Sequence, residues 1–224
     1  MSENEVPNVP LDAEELRVLG ALIEKQITTP DYYPLSLNAL VAACNQKNNR
    51  DPIVAFDDAT VARALDRLRE RRLAVIIGVA GSRVPKYKHQ FPQTIGLDER
   101  DTAILCELML RGPQTAAELR TRCERFTPMT DAATVQLALE ELAQRPAGAL
   151  VVRLPRQPGQ KESRYAHLLG APPSMEVVTP TEPITEQLRG EHQRVAQLES
   201  DVAALREEVA ALRAQLDDFR KQFE

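Results

Sequence analysis

A chain of 224 residues is long enough for one or two domains plus extensions, and its formal net charge of −5 argues against indiscriminate nucleic-acid binding. The acidic start, Met1-Ser2-Glu3-Asn4-Glu5, has no apolar run behind it and is not expected to be a signal peptide. No stretch approaches the ~20 apolar residues of a membrane span, so the expected location is the cytoplasm.

After a disordered N-terminus over 1–10, the spacing of Leu16, Leu19, Leu22 and Ile23 predicts a helix over 12–26 that buries one stripe, with Asp12 and Glu15 as its cap. Tyr32 and Tyr33 follow in an insertion. Either they tuck into the core or they anchor a partner. A second helix is predicted over 35–46 and a third over 58–72. The β-branched run Leu73-Ala74-Val75-Ile76-Ile77-Gly78-Val79, a turn at Ala80-Gly81-Ser82 and the return from Val84 to Gln90 predict a hairpin.

The same order then recurs. Leu97-Asp98 repeats Leu11-Asp12 ahead of a helix over 98–111, and Thr115 with Glu118 forms a capping box for a helix over 115–124. The third-helix phrase Ala59-Thr60-Val61-Ala62-Arg63-Ala64-Leu65-Asp66-Arg67-Leu68 returns 74 residues later as Ala133-Thr134-Val135-Gln136-Leu137-Ala138-Leu139-Glu140-Glu141-Leu142. Strands at 150–154 and 163–168 close the second copy. Three helices and a hairpin, twice, predict a mainly α chain with small β-hairpins: tandem winged helix-turn-helix domains over 11–91 and 92–170. The apolar matches belong to the core. The mismatches, Arg63 and Arg67 against Leu137 and Glu141, are expected to carry the functional difference.

The residues Leu22-Ile23-Glu24-Lys25-Gln26, Thr29-Pro30-Asp31-Tyr32-Tyr33-Pro34-Leu35-Ser36-Leu37-Asn38 and Asn45-Gln46-Lys47-Asn48-Asn49-Arg50-Asp51-Pro52 resemble the YceH-type bacterial family. The resemblance covers about residues 11–170 and implies a tandem pair of winged helices. It brings no catalytic or binding residues.

A winged helix can place its third helix in the major groove and its wing on the backbone. With Val61, Ala64, Leu65 and Leu68 inward, Arg63, Arg67 and Arg71 fall on one outer strip. Lys47 and Arg50 precede it, and Arg83, Lys86 and Lys88 lie on the wing. These eight side chains form the expected DNA surface. Against it stand Asp57 and Asp58 at the helix start and Asp66 and Glu70 along it, since a mixed charged strip is often only a solvated face. The second copy turns Gln136, Glu140, Glu141 and Gln144 outward and is not expected to read bases. Arg153, Arg156, Lys161 and Arg164 on its hairpin could touch a backbone.

Pro172, Pro173, Pro180 and Pro183 predict a linker over 171–184. A heptad follows over 185–223. Val195, Leu198, Val202, Leu205, Val209, Leu212, Leu216 and Phe219 form its seam, which predicts a parallel two-stranded coiled coil and a homodimer. The alternative is a single amphipathic helix folded back on the domains. Residues 171–224 hold 6 basic and 11 acidic side chains, so the negative charge resides there.

Cys44, Cys106 and Cys123 form no Cys-x-x-Cys pair and read as small core residues. Tyr87, Tyr165, His89 and His167 recur in register and read as core too. No metal site, cofactor site or nucleophile–base set stands out, so no enzyme is expected. Two functions fit. One is a dimeric DNA-binding protein, a transcriptional regulator whose first copy contacts double-stranded DNA. The other is a winged-helix protein-interaction module without sequence-specific DNA binding, docking through the second copy or the Tyr32/Tyr33 insertion.

Overall fold

The computed structural model describes residues 10–78, 84–127, 131–156, 159–160 and 162–171, all within a compact unit, Met1–Met175. The expected N-terminal segment before residue 10, Arg83, Lys161, the linker beyond residue 171 and the coiled coil with its eight seam residues lie outside the described residues.

Among those residues the fold is mixed α with small antiparallel sheets. The first half runs α1 (Ala13–Thr28), a 3-10 turn (Pro30–Tyr32), β1 (Leu35–Ser36), α2 (Leu37–Cys44), α3 (Asp58–Glu70), β2 (Ala74–Ile77) and β3 (Lys86–His89). After α4 (Phe91–Ile95), the second half runs α5 (Glu99–Arg111), α6 (Ala116–Cys123), α7 (Ala132–Ala143), β4 (Val151–Arg153) and β5 (Tyr165–His167).

The duplication reaches the level of single hydrogen bonds. Asp12 Oδ1 accepts from Glu15 N at 2.8 Å to start α1, and Asp98 Oδ1 accepts from Asp101 N at 2.7 Å to start α5. Ser36 and Thr115 cap the second helices, and Asp57 and Asp131 the third. Each cap satisfies a backbone N–H that has no partner inside its helix. β3 pairs with β2 (Ala74 opposite His89, Ile76 opposite Tyr87) and with β1 (Leu35 opposite Tyr87). In the second half Gln114 exchanges both backbone hydrogen bonds with Tyr165, so a single bridge stands where β1 does in the first.

α4 is an element that the periodicity did not predict. Its signs are Pro92 inside the first turn and Gly96, at φ +75°, just past the end. Phe91 and Ile95 anchor it in the core.

The first helix of each half departs from the one-stripe expectation. Val18 to Glu24 in α1 and Thr102 to Leu110 in α5 are buried without a break. α1 packs on α2 and α3 and also on α5, so the two helices form a central layer. Gly20 lets them approach: a Cβ there would sit 2.9 Å from Leu110 Cδ2. Cys106 Sγ donates to the Gly20 carbonyl at 3.4 Å. One apolar core therefore runs through both halves, from Leu40 and Leu65 to Leu119 and Leu139. Leu11 N donates to Leu169 O at 2.8 Å, which clasps the start of the body to its end.

Candidate nucleic-acid interface

α3 buries Val61, Ala64, Leu65 and Leu68, as its periodicity requires. Arg63 is exposed, and its Nη2 donates to Thr60 Oγ1 at 3.1 Å. Arg67 and Arg71 do not share its outlook. Arg67 Nη2 lies 2.8 Å from Asp12 Oδ2 and 2.9 Å from Glu14 Oε2, and Arg71 Nε lies 3.0 Å from Glu15 Oε1. The expected three-arginine strip is thus split. The capping box of α1 buries the Glu15 carboxylate, and α3 supplies its counter-charge.

The second half repeats this contact with the charges exchanged. Arg100 sits two places after the cap Asp98 of α5, as Glu14 sits two places after the cap Asp12 of α1. Its Nη2 lies 2.5 Å from Glu141 Oε2, and Glu141 is the counterpart of Arg67. The Arg67/Glu141 mismatch is therefore a swapped ion pair tying each third helix to its own first helix. Of the two mismatches expected to carry function, Arg63/Leu137 alone stands on the surface on both sides, with Leu137 53 % exposed.

Arg50 also leaves the expected surface. Its side chain is 0 % exposed, and its Nη2 lies 2.5 Å from Glu24 Oε2 and donates to the Ala43 carbonyl at 2.9 Å. A guanidinium so enclosed cannot meet a phosphate. Lys47 is exposed. Lys86 and Lys88 are half-buried and, by strand alternation, share the sheet face opposite Tyr87 and His89. Asp57, Asp58, Asp66 and Glu70 are exposed among these cations, and Arg69, not singled out in the sequence, pairs with Asp66 at 2.8 Å.

In the second half Arg153 and Arg156 are exposed, while Arg164 lies 3.3 Å from Glu118 Oε1. Gln136 Nε2 donates to the Tyr165 hydroxyl at 2.8 Å. The tyrosine insertion divides: Tyr32 is 76 % exposed, whereas the half-buried Tyr33 accepts from His89 N at 2.7 Å through its hydroxyl, whose pKa burial raises. Tyr165 and His89 are buried; Tyr87 and His167 are half-buried. The three thiols are buried, and burial pushes Cys44 and Cys123 up to about 12.

The densest electrostatic feature lies between the halves. Arg125 Nη2 lies 3.0 Å from Glu24 and 2.5 Å from Glu107, one carboxylate from each half. Glu24 also holds Arg50; Glu107 also holds Arg111 at 3.2 Å. Burial raises the Glu24 carboxyl, but hydrogen bonding and charge from Arg50, with Arg125 behind it, outweigh this and hold it below its usual range. Asn45 binds the Phe56 backbone through both ends of its amide, and Arg17 donates to the Cys44 and Pro52 carbonyls, so the loop between α2 and α3 is tied down. Glu24, Asn45 and Arg50 all belong to the quoted motif, and these three hold the fold together.

Among the described residues no group of three His, Cys, Asp or Glu side chains is placed to hold a metal ion, and no helix is long and apolar enough to cross a membrane.

The model of a family described as "Protein of unknown function, DUF480" matches residues 11–160. A UPF0502 protein of Geotalea daltonii is 52 % identical over 219 residues, covering 97 % of this chain and all of its own length. One from Geobacter metallireducens is 54 % identical over 217 residues, 96 % of this chain and 98 % of its own. One from Opitutus terrae is 50 % identical over 192 residues, 86 % and 81 % respectively.

Proposed function

The chain belongs to the DUF480 (UPF0502) family of bacterial proteins, and from its element order and its surface we propose that it is a non-enzymatic tandem winged-helix protein whose first half binds double-stranded DNA. The observation that carries this reading is the set of cations left outward once internal pairs are removed. Arg63 lies on α3, Lys47 before it, and Lys86 and Lys88 on the outer face of the hairpin. A winged helix applies these same elements to a duplex. With Arg50, Arg67 and Arg71 engaged inside the fold, most contacts go to phosphates, so affinity exceeds sequence preference.

Four such contacts predict that log affinity falls against log salt with a slope of about −3 to −4. In the Arg63→Ala/Lys88→Ala variant the slope should shrink by about 2. Arg67→Ala should leave it unchanged. Titration of a fluorescent duplex across salt concentration measures all three; binding that ignores salt, or a slope that Arg63 and Lys88 do not set, rejects the reading.

A second reading, a docking module for another protein, is favoured by the acidic side chains interleaved on α3 and by the exposed Leu137 on α7. It predicts no duplex binding at any salt.

The heptad over 185–223 would present two first halves together. Ending the chain at residue 183 should convert a dimer to a monomer by light scattering, and an unchanged oligomeric state removes the coiled coil from the proposal.

A further inference from the structure

A cavity of about 550 Å³ opens between the halves, walled by the end of the α2–α3 loop, the end of α5, the α5–α6 turn, α6 and the second hairpin. Its lining includes Arg111, Arg122 and Arg164, with the enclosed guanidinium of Arg50 behind them, against two acidic residues, Asp51 and Glu118. The carboxylates behind the wall do not restore the balance, because Glu24 and Glu107 serve three guanidiniums between them: Arg50, Arg111 and Arg125. Arg122 hydrogen-bonds the neutral Gln114 amide. Arg164 donates to the Pro113 carbonyl at 2.7 Å and shares Glu118 with the helix cap.

Positive charge gathered in a partly enclosed site is costly unless an anion meets it. The strain registers on Arg111, whose guanidinium is held below its usual range by burial and, despite Glu107, by the charges of Arg122, Arg125 and Arg50. Guanidinium forks match phosphate oxygens in geometry as well as charge. The cavity has the volume of a small-molecule site rather than the open ridge a duplex requires.

We propose that this arginine-lined cavity between the halves binds a small phosphorylated molecule of nucleotide size. Its phosphates lie against Arg122 and Arg164 at the mouth, with Arg111 beneath. Because both halves wall the site, the ligand reinforces their junction.

Calorimetric titration of the full chain with inorganic phosphate, pyrophosphate and ATP, against chloride at equal ionic strength, tests this. Saturable binding of pyrophosphate and ATP is expected, tighter than that of phosphate. Arg122→Gln should weaken it about tenfold or more, the loss of one charged hydrogen bond. Glu118→Gln should tighten it severalfold, since it removes a competing negative charge while glutamine still completes the Thr115 cap. A misfolded variant cannot bind more tightly, so the opposite signs separate ligand contact from damage. Absence of saturable binding overturns the proposal, as does equal affinity in both variants. So does a loss of ATP affinity in Arg63→Ala/Lys88→Ala but not in Arg122→Gln, which would place the anion on the DNA face.

Discussion

Replacing Glu24 by alanine should cost about 3–5 kcal/mol in urea unfolding at neutral pH, the usual penalty for removing one partner of a buried ion pair. Arg50 would keep its charge with a side chain 0 % exposed. Arg125 would lose its link between the halves and keep only Glu107. The penalty belongs to the orphaned charge, not to the pair itself. Glu24→Met combined with Arg50→Leu, which removes both charges and retains volume, should recover most of the loss. A cost below about 1 kcal/mol for the single change would mean that water reaches Arg50, contrary to its enclosure.

Acid should weaken the fold well above the pH at which carboxylates generally protonate. Burial holds His89 down to about 4, aided by the charge of Lys88, and burial alone holds His167 down to about 4. Both are neutral in the folded chain at pH 7. Once unfolded they take up protons near pH 6.5. Their contribution is therefore complete above 6.5 and is lost as pH falls towards 4, up to about 3 kcal/mol for each. Glu24, with a lowered pKa, acts in the same direction at lower pH. Asp101 opposes them. Burial, then the charge of Asp98, raises it to about 6, so its contribution is present at low pH and lost as pH rises through 6. Asp101 is half-buried and offsets less than one histidine. The urea midpoint should fall steadily between pH 6.5 and 4. Because Asp101 subtracts from the two equal histidine contributions, His89→Leu should flatten that slope by more than half, and an unaltered slope would show that His89 titrates normally.

Much of this architecture was legible in the chain. Caps at Asp12, Asp98 and Thr115 and the apolar periodicity marked six of the seven described helices, because both are local signals. Periodicity reports that a helix has a buried face; it does not report a second partner on the other side. Hence α1 and α5 read as one-stripe helices, although Gly20, Ala21 and Cys106 are the small residues that close packing requires. The expected arginine strip was split for a related reason. Helical spacing placed Arg67 on the correct side of α3, but its destination depended on Asp12 and Glu14, more than fifty residues earlier. One clue was present: aligning both copies sets Arg67 and Glu14 against Glu141 and Arg100, two reversals at once, the mark of a contact retained through sign exchange. Arg50 carried no comparable sign, and its partner Glu24 was visible only as part of the same motif.

The central packing of α1 against α5 also governs how the protein is born. Translation delivers α1 some eighty residues before α5 is complete, an interval of roughly 4–16 s at ordinary elongation rates. During that time the Gly20 face of α1 has no mate, and the nascent first half exposes apolar surface that only its own later duplicate can cover. The clasp between Leu11 and Leu169 waits longer still, until the body is fully synthesised. Duplication here has made the older module dependent on the younger for its completion.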